Sequence, residues 1–320
     1  MADEAIRTTN LTKIYKEKSK QPVHALNGLN LSVQRGEIFG LLGRNGAGKT
    51  TLLRILTTLI KPTSGSASVM GFDVQAHGAE VRNHICAVLQ ENALEQFLSV
   101  RDNLTTYGRF HSVPPHEREA RAQRVLDQFG LTEHKNKKAM DLSGGLKRRL
   151  QVAKVFMVDK PIVFLDEATT GMDPINKRAV LESIRAQADG GRTIVLTTHI
   201  LQEAEDLCDT IALIHEGRII ASGSVATIKA LATSVFELSI TFESMNEELL
   251  AQLKSLSPVR FEQTGNVVEL CINSVDGTVL DTIAQLSRIS RITHLEINGG
   301  TLEDAFVELL GVSREDTSWK

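Results

Sequence analysis

The chain has 320 residues, 42% of them hydrophobic and 23% charged, with a formal net charge of -3. That length allows two domains, that balance excludes a disordered polymer, and that charge excludes a global field aimed at nucleic acid or an anionic membrane. Three distant cysteines, Cys86, Cys208 and Cys271, form no C-x-x-C pair, which argues against a disulfide framework or a zinc site and suits a reducing cytoplasm.

The first residues, Met1-Ala-Asp-Glu-Ala-Ile-Arg7, lack the apolar centre of a signal peptide. No later run approaches the roughly 18 to 20 apolar residues that a membrane helix needs. The chain is therefore expected not to span a bilayer by itself. Leu29 to Val33 alternates apolar and polar, and Glu37 to Leu42 is a compact apolar run; both predict strands. After a Gly-rich turn, Thr51 to Ile60 has helical periodicity. Residues 91–158 are predominantly helical, interrupted at Pro114-Pro115, and predict a helical subdomain inserted into an α/β core. Further strands are predicted at Ile162–Leu165, Thr193–Leu196 and Ile211–Ile214, with helices at Asn176–Ala188 and Leu201–Cys208. Apolar strands alternating with helices give an α/β domain with a mostly parallel, buried sheet.

The last part changes character. A short helix is predicted over Val225–Ala232, a strand over Val235–Phe242 and a helix over Asn246–Leu256. Strands at Val259–Glu262 and Val267–Ile272 meet across Gly265-Asn266, followed by a helix at Thr278–Leu286, a strand at Thr293–Ile297 and a helix at Leu302–Leu310. The order β-α-β-β-α-β matches a ferredoxin-like unit, so residues 1–232 and 233–320 are expected to form two domains. One face of the small sheet should carry its helices, and the other, including alternate residues of Val235–Phe242 and Val267–Ile272, should seek a partner such as the second subunit's tail. From Val225 onward there are 7 Lys and Arg against 14 Asp and Glu, an acidic tail unsuited to gripping nucleic acid.

Gly43-Arg44-Asn45-Gly46-Ala47-Gly48-Lys49-Thr50 satisfies G-x-x-x-x-G-K-[ST] between a predicted strand and a helix that continues through Thr51. Triphosphate oxygens need pre-organised donors, and backbone N–H groups in a nest at a helix N-terminus supply them. Gly46 and Gly48 let the backbone curl around phosphate without Cβ clashes. Lys49 is then a point charge for the β- and γ-phosphates, and Thr50 a ligand to Mg²⁺. Ile162 to Leu165 leads into Asp166-Glu167, two carboxylates at the C-terminal end of a central strand, where ligands sit in open α/β sheets. Asp166 is expected to hold Mg²⁺ through its water shell, and Glu167 to polarise the attacking water.

Leu142-Ser-Gly-Gly-Leu-Lys-Arg-Arg149 resembles the signature sequence of ABC (ATP-binding cassette) ATPases and precedes the acidic strand, as theirs does. The resemblance runs in order from about Ile6 to Gly223. It departs from the commoner pattern at Arg44, where proline is frequent, and at Leu146, where glutamine is frequent. It implies an ABC ATPase fold and adds site residues. Tyr15 looks like the aromatic that stacks on adenine. Gln90 looks like the glutamine that joins the core to the helical subdomain and approaches the metal. Asp173 looks like the aspartate that crosses the dimer interface, and His199 like the histidine that contacts the γ-phosphate. Ser143, Gly144 and Gly145 would meet ATP held by a second subunit. The implied partners are that second subunit, as a homodimer or heterodimer, and a separate integral-membrane permease, with ATP and Mg²⁺ as cofactors. The implied location is the cytoplasmic face of the cell membrane.

Gly300-Thr-Leu-Glu-Asp-Ala-Phe-Val-Glu-Leu-Leu-Gly311 resembles the C-terminal extension of ATPase subunits related to daunorubicin-resistance exporters, which implies export of a drug-like or lipid-like compound. The alternative is an ABC ATPase that acts on nucleic acid or ribosomes. Against it stand the short interval of about 100 residues between phosphate loop and signature, without sustained heptads, and the absence of a second phosphate loop.

Overall fold

The computed structural model describes residues 4–16, 21–89, 94–231, 236–272, 277–299 and 301–310. Strands β1 (Glu4–Tyr15) and β2 (Val23–Gln34) pair antiparallel, and β3 (Ile38–Leu42) follows, buried at every position as its unbroken apolar run requires. Helix α1 (Lys49–Leu56) leaves the Gly-rich turn directly, two residues earlier than its apolar period suggests. It stops at Leu56 rather than Ile60, and Thr58 beyond it takes a left-handed φ of 64°. Next come β4 (Ser64–Val69), β5 (Phe72–Asp73), α2 (Gly78–His84) and β6 (Ile85–Val88).

The helical segment contains α3 (Val100–Phe110), α4 (Pro115–Gln128) and α5 (Gly144–Val155), with single 3-10 turns at Thr132–His134 and Ala139–Asp141. Ser99 caps α3 by accepting the Asp102 amide. Pro115 sits in the first turn of α4, where its missing N–H costs nothing. Phe129 and Phe156 stack at 5.3 Å between centroids behind α4 and α5. The core resumes with β7 (Ile162–Asp166), α6 (Pro174–Asp189), β8 (Thr193–Thr198), α7 (Leu201–Leu207), β9 (Thr210–His215) and β10 (Arg218–Ser224).

Two sheets result. One is ordered β2-β1-β4-β5; the other, β10-β9-β3-β8-β7-β6, is parallel except for β10. Leu52, Leu53, Ile55 and Leu56 of α1 join one core cluster with Leu26 and Leu29 of β2 and with Phe39, Phe164, Val195 and Ile214 of the parallel sheet. Each such buried side chain contributes about 2 kcal/mol. The phosphate-loop helix is thus held from both sides.

The chain divides into two compact units between Ser224 and Val225, eight residues before the boundary expected from sequence. The second unit opens with α8 (Val225–Lys229), which packs on its last helix. Then follow β11 (Phe236–Phe242), α9 (Glu247–Ser255), β12 (Arg260–Thr264), β13 (Val267–Ile272), α10 (Gly277–Ile289), β14 (Ile292–Asn298) and α11 (Leu302–Leu310). The sheet order β12-β13-β11-β14, antiparallel throughout, is that of a ferredoxin-like fold. Leu238, Ile240, Phe242, Val268, Leu270 and Ile272 pack against Leu249, Leu253, Val279, Ile283 and Leu286, so α9 and α10 cover one face. The other face is polar: Glu262, Glu269, Ser239 and Glu296 lie in register across it.

Candidate active site

The turn between β3 and α1 is pressed against its surroundings at two glycines. A Cβ on Gly43 would lie 2.4 Å from the Ile214 carbonyl oxygen, and one on Gly48 would lie 2.4 Å from that of Ala25. Gly48 also has φ +112°, outside the range of ordinary residues. It caps α1 without any side-chain hydrogen bond, leaving the first amides of the helix to an incoming acceptor. Arg44, Asn45 and Gly46 are exposed at the rim, Ala47 is buried, and Thr51 is half-buried in the first turn of α1. Lys49 is buried and folds back over the loop, its Nζ donating to the Gly43 oxygen at 2.6 Å and the Arg44 oxygen at 3.2 Å. Burial lowers its pKa, against the pull of the Glu167 and Asp166 carboxylates.

Asp166 ends β7 fully buried. Its Oδ2 accepts from Thr50 Oγ1 at 3.0 Å and its Oδ1 from the Thr197 hydroxyl on β8. Glu167 then turns left-handed, with φ 50°. Its N–H donates to the Thr197 oxygen at 3.1 Å, and its carboxylate lies 3.2 Å from His199 Nδ1 through Oε1. Thr170 Oγ1 donates to Oε2 at 3.4 Å. The structure therefore brings Lys49, Thr50, Asp166, Glu167 and His199 to one place, at the C-terminal ends of β3, β7 and β8. Thr50 and Asp166 present hard oxygen donors side by side, the donor set Mg²⁺ favours. Among the described residues there is no cluster of three or more His, Cys, Asp and Glu that would suit a softer metal.

Ser143 caps α5, its Oγ accepting the Leu146 amide at 3.4 Å, and Gly144 and Gly145 form the first turn. A Cβ on Gly145 would lie 3.9 Å from Asp173 Oδ2, so the signature turn and Asp173 are neighbours in one subunit. Asp173 in turn caps α6, accepting the Asn176 amide at 3.0 Å; that bond lowers its pKa. Gly144, Lys147, Arg148, Gln151, Glu167 and Thr170 help line an open cleft of about 500 Å³. Tyr15, at the end of β1, is exposed, with Lys13 Nζ 5.3 Å from its ring centroid. Gln90 lies outside the described residues.

Three side chains that sequence reasoning missed hold this arrangement. Thr197 serves both Asp166 and Glu167, as above. Glu203 on α7 is buried and accepts from the hydroxyls of Thr169 and of Thr198, the latter at 2.7 Å, while Lys177 Nζ lies 2.8 Å away. Arg148 donates to the backbone oxygens of Asp166 (2.5 Å), Glu167 (2.8 Å) and Ala168 (3.2 Å), and to Gln151 Oε1 (2.8 Å). Burial lowers the Arg148 pKa, opposed by the Asp166 and Glu167 charges.

A strand–Gly-rich turn–helix with its lysine, a hydroxyl–aspartate pair and a glutamate–histidine pair on the next strands define a P-loop ATPase. Residues 26–170 match the family described as ABC transporter. The daunorubicin resistance ATP-binding protein DrrA3 of Streptomyces coeruleorubidus is 35% identical over 98% of this chain and 98% of its own. The linearmycin resistance ATP-binding protein LnrL of Bacillus subtilis is 30% identical over 97% of this chain and 100% of its own. Among solved structures, a dimeric ATP-binding cassette in a post-hydrolysis state bound to ADP and Pi is similar at a TM-score of 0.63 and 26% identity, covering 68% of this chain and 98% of that one. The chain belongs to the ABC transporter family and is an ATP-binding subunit of the ATP-hydrolysing kind. Among the described residues, no helix is long and apolar enough to cross a membrane.

Proposed function

We propose that two such subunits close around ATP at the inner face of the membrane and drive a separate permease that exports a drug-like or lipid-like compound. The observation that carries the chemistry is the Glu167–His199 pair, 3.2 Å apart beside Lys49 and the Thr50–Asp166 pair. The relatives named for daunorubicin and linearmycin resistance support the export role. The acidic row on the second unit disfavours nucleic acid as a partner.

Amides from Gly43 to Thr51 receive the phosphates, and Tyr15 offers its exposed ring to adenine. Lys49 exchanges the Gly43 and Arg44 carbonyls for phosphate oxygens, a stronger charge-assisted contact. Thr50 and Asp166, with Gln90, would hold Mg²⁺, which would supply positive charge against that of the triphosphate. Glu167 takes a proton from water as its oxygen attacks the γ-phosphorus; the bond to the bridging oxygen breaks and its electron pair leaves with ADP. His199 orients the γ-phosphate and is itself oriented by Glu167. Ser143, Gly144 and Gly145 serve the ATP of the facing subunit, and Asp173 reaches across the same interface. Helix α5 adds an N-terminal dipole there.

Glu167→Gln tests this reading. The variant should bind Mg-ATP, lose turnover by about 100-fold or more, and accumulate as an ATP-bound dimer on size-exclusion chromatography. Turnover within threefold of the wild type would remove Glu167 from this role.

A further inference from the structure

We propose that Arg148 is a positioning residue that makes the signature helix and the catalytic turn one mechanical piece, so that the contact α5 makes with one ATP aims the glutamate at the other. The inference rests on Glu167 acting as the base, as proposed above. Arg148 stands five residues after Ser143 on α5, yet its guanidinium spans three consecutive carbonyls at the end of β7, those of Asp166, Glu167 and Ala168. Gln151, one turn further along the same helix, receives its remaining nitrogen and fixes the plane of the fork. Four of the five guanidinium donors are accounted for, three of them on main-chain oxygens, which side-chain motion cannot withdraw.

What those carbonyls belong to gives the contact its meaning. Glu167 is a non-glycine residue held at φ 50°, a conformation that costs free energy and persists only where neighbours impose it. Its N–H is fixed from β8 by the Thr197 oxygen, and its C=O is fixed from α5 by Arg148. Both peptide groups flanking the Glu167 Cα are thereby held, which fixes the Cα–Cβ bond from which the carboxylate reaches His199 at 3.2 Å. Holding one side is a task for the parallel sheet; holding the other belongs to a helix of the inserted segment.

The consequence is a link between two ATP sites. In the proposed dimer the N-terminus of α5 touches the nucleotide held by the facing subunit, while the Glu167 it braces works on the nucleotide held by its own. A shift of α5 alters the Arg148 fork and with it the aim of Glu167. Binding energy at one site is thereby realised as base positioning at the other, an interaction that matters for kcat more than for ground-state binding.

The test uses the full chain, with Arg148→Gln and Arg148→Lys measured alone and combined with Glu167→Gln. Nucleotide affinity is read with a fluorescent ATP analogue, turnover by phosphate release, and folding by thermal unfolding. Arg148→Gln should lower kcat by about 10- to 100-fold, the scale of a misplaced catalytic group, while KM and affinity stay within about twofold. Arg148→Lys, which keeps the charge but cannot span three carbonyls, should recover only part of the loss. In the Glu167→Gln background, adding Arg148→Gln should change residual turnover by less than about twofold, because the two act through one group.

A kcat at least half the wild-type value in Arg148→Gln would overturn the proposal, as would independent, multiplicative losses in the double variant. Equal loss of affinity and kcat in both single variants would also overturn it, since that pattern means collapse of the loop rather than misaiming. Should Glu167→Gln alone retain turnover, the reading of Glu167 as base is what fails, whatever Arg148→Gln does.

Discussion

Replacing Glu203 by alanine should destabilise the first unit far more than its distance from the phosphate loop suggests. Glu203 is 3% exposed and joins three segments: Thr169 after β7, Thr198 at the end of β8, and Lys177 in α6. Alanine leaves two buried hydroxyls without their acceptor and an ammonium without its counter-ion. Removing one partner of a buried ion pair costs about 3 to 5 kcal/mol. The Lys177 side chain is 25% exposed and can turn partly to water, which places the cost near the lower end, about 3 kcal/mol. For a unit of this size that is a fall in Tm of about 6 to 12 °C. Glu203→Gln keeps the shape and an oxygen for one hydroxyl, and should cost about half as much. Differential scanning calorimetry without nucleotide reads both. An alanine variant within 1 kcal/mol of the wild type, or a glutamine variant worse than alanine, would refute the reasoning. Thr198 also accepts the Ile200 amide at 2.9 Å, flanking His199 on both sides. The same variants should therefore lower kcat.

Gly48→Ala places a Cβ 2.4 Å from the Ala25 carbonyl at φ +112°, a strain of about 1 to 3 kcal/mol before the clash is counted. ATP affinity should fall by more than about tenfold in a fluorescence titration, and a loss below threefold would show that the loop relaxes freely. Phe97, 79% exposed between Leu94 and α3, is the apolar contact we expect the permease to use. Phe97→Asp should leave ATP affinity unchanged and reduce co-purification of the permease; equal recovery would place the contact elsewhere.

The groups gathered at the candidate site were legible because each motif lies within a short spacing. Gly43 to Thr50 and Asp166-Glu167 each lie within one turn of chain, and the apolar runs before them announce the strands that aim them. The second unit was legible through its alternation, and its element order already contained the sheet order. Strand β1 was not, because bulges between Thr8, Leu11 and Lys13, with Asn10 at φ 47°, reset the period of two. The brace around the site was hidden for another reason. In Lys147-Arg148-Arg149 each side chain reaches a different main-chain oxygen. Lys147 reaches Met140, Arg148 reaches the catalytic turn, and the buried Arg149 reaches Phe129 at the end of α4. Carbonyl acceptors have no letter in a sequence, and Glu203 meets partners up to 34 residues away.

The acidic row across the second unit limits how that unit can be stored in an assembly. Glu262 sits directly opposite Glu269, and Glu296 follows beyond Ser239, all on the face without helices. Two such sheets laid face to face would stand about 10 Å apart. Side chains of both sheets would share that gap, so their carboxylates would meet well inside a Debye length, about 8 Å at physiological ionic strength. Arg260 stands on the same face, 2.7 Å from Glu262, so the face pairs part of its own charge and stays tolerant of water. Unlike the apolar face that a sandwich would require, it makes burying one such sheet against another costly, because each carboxylate would have to give up its water.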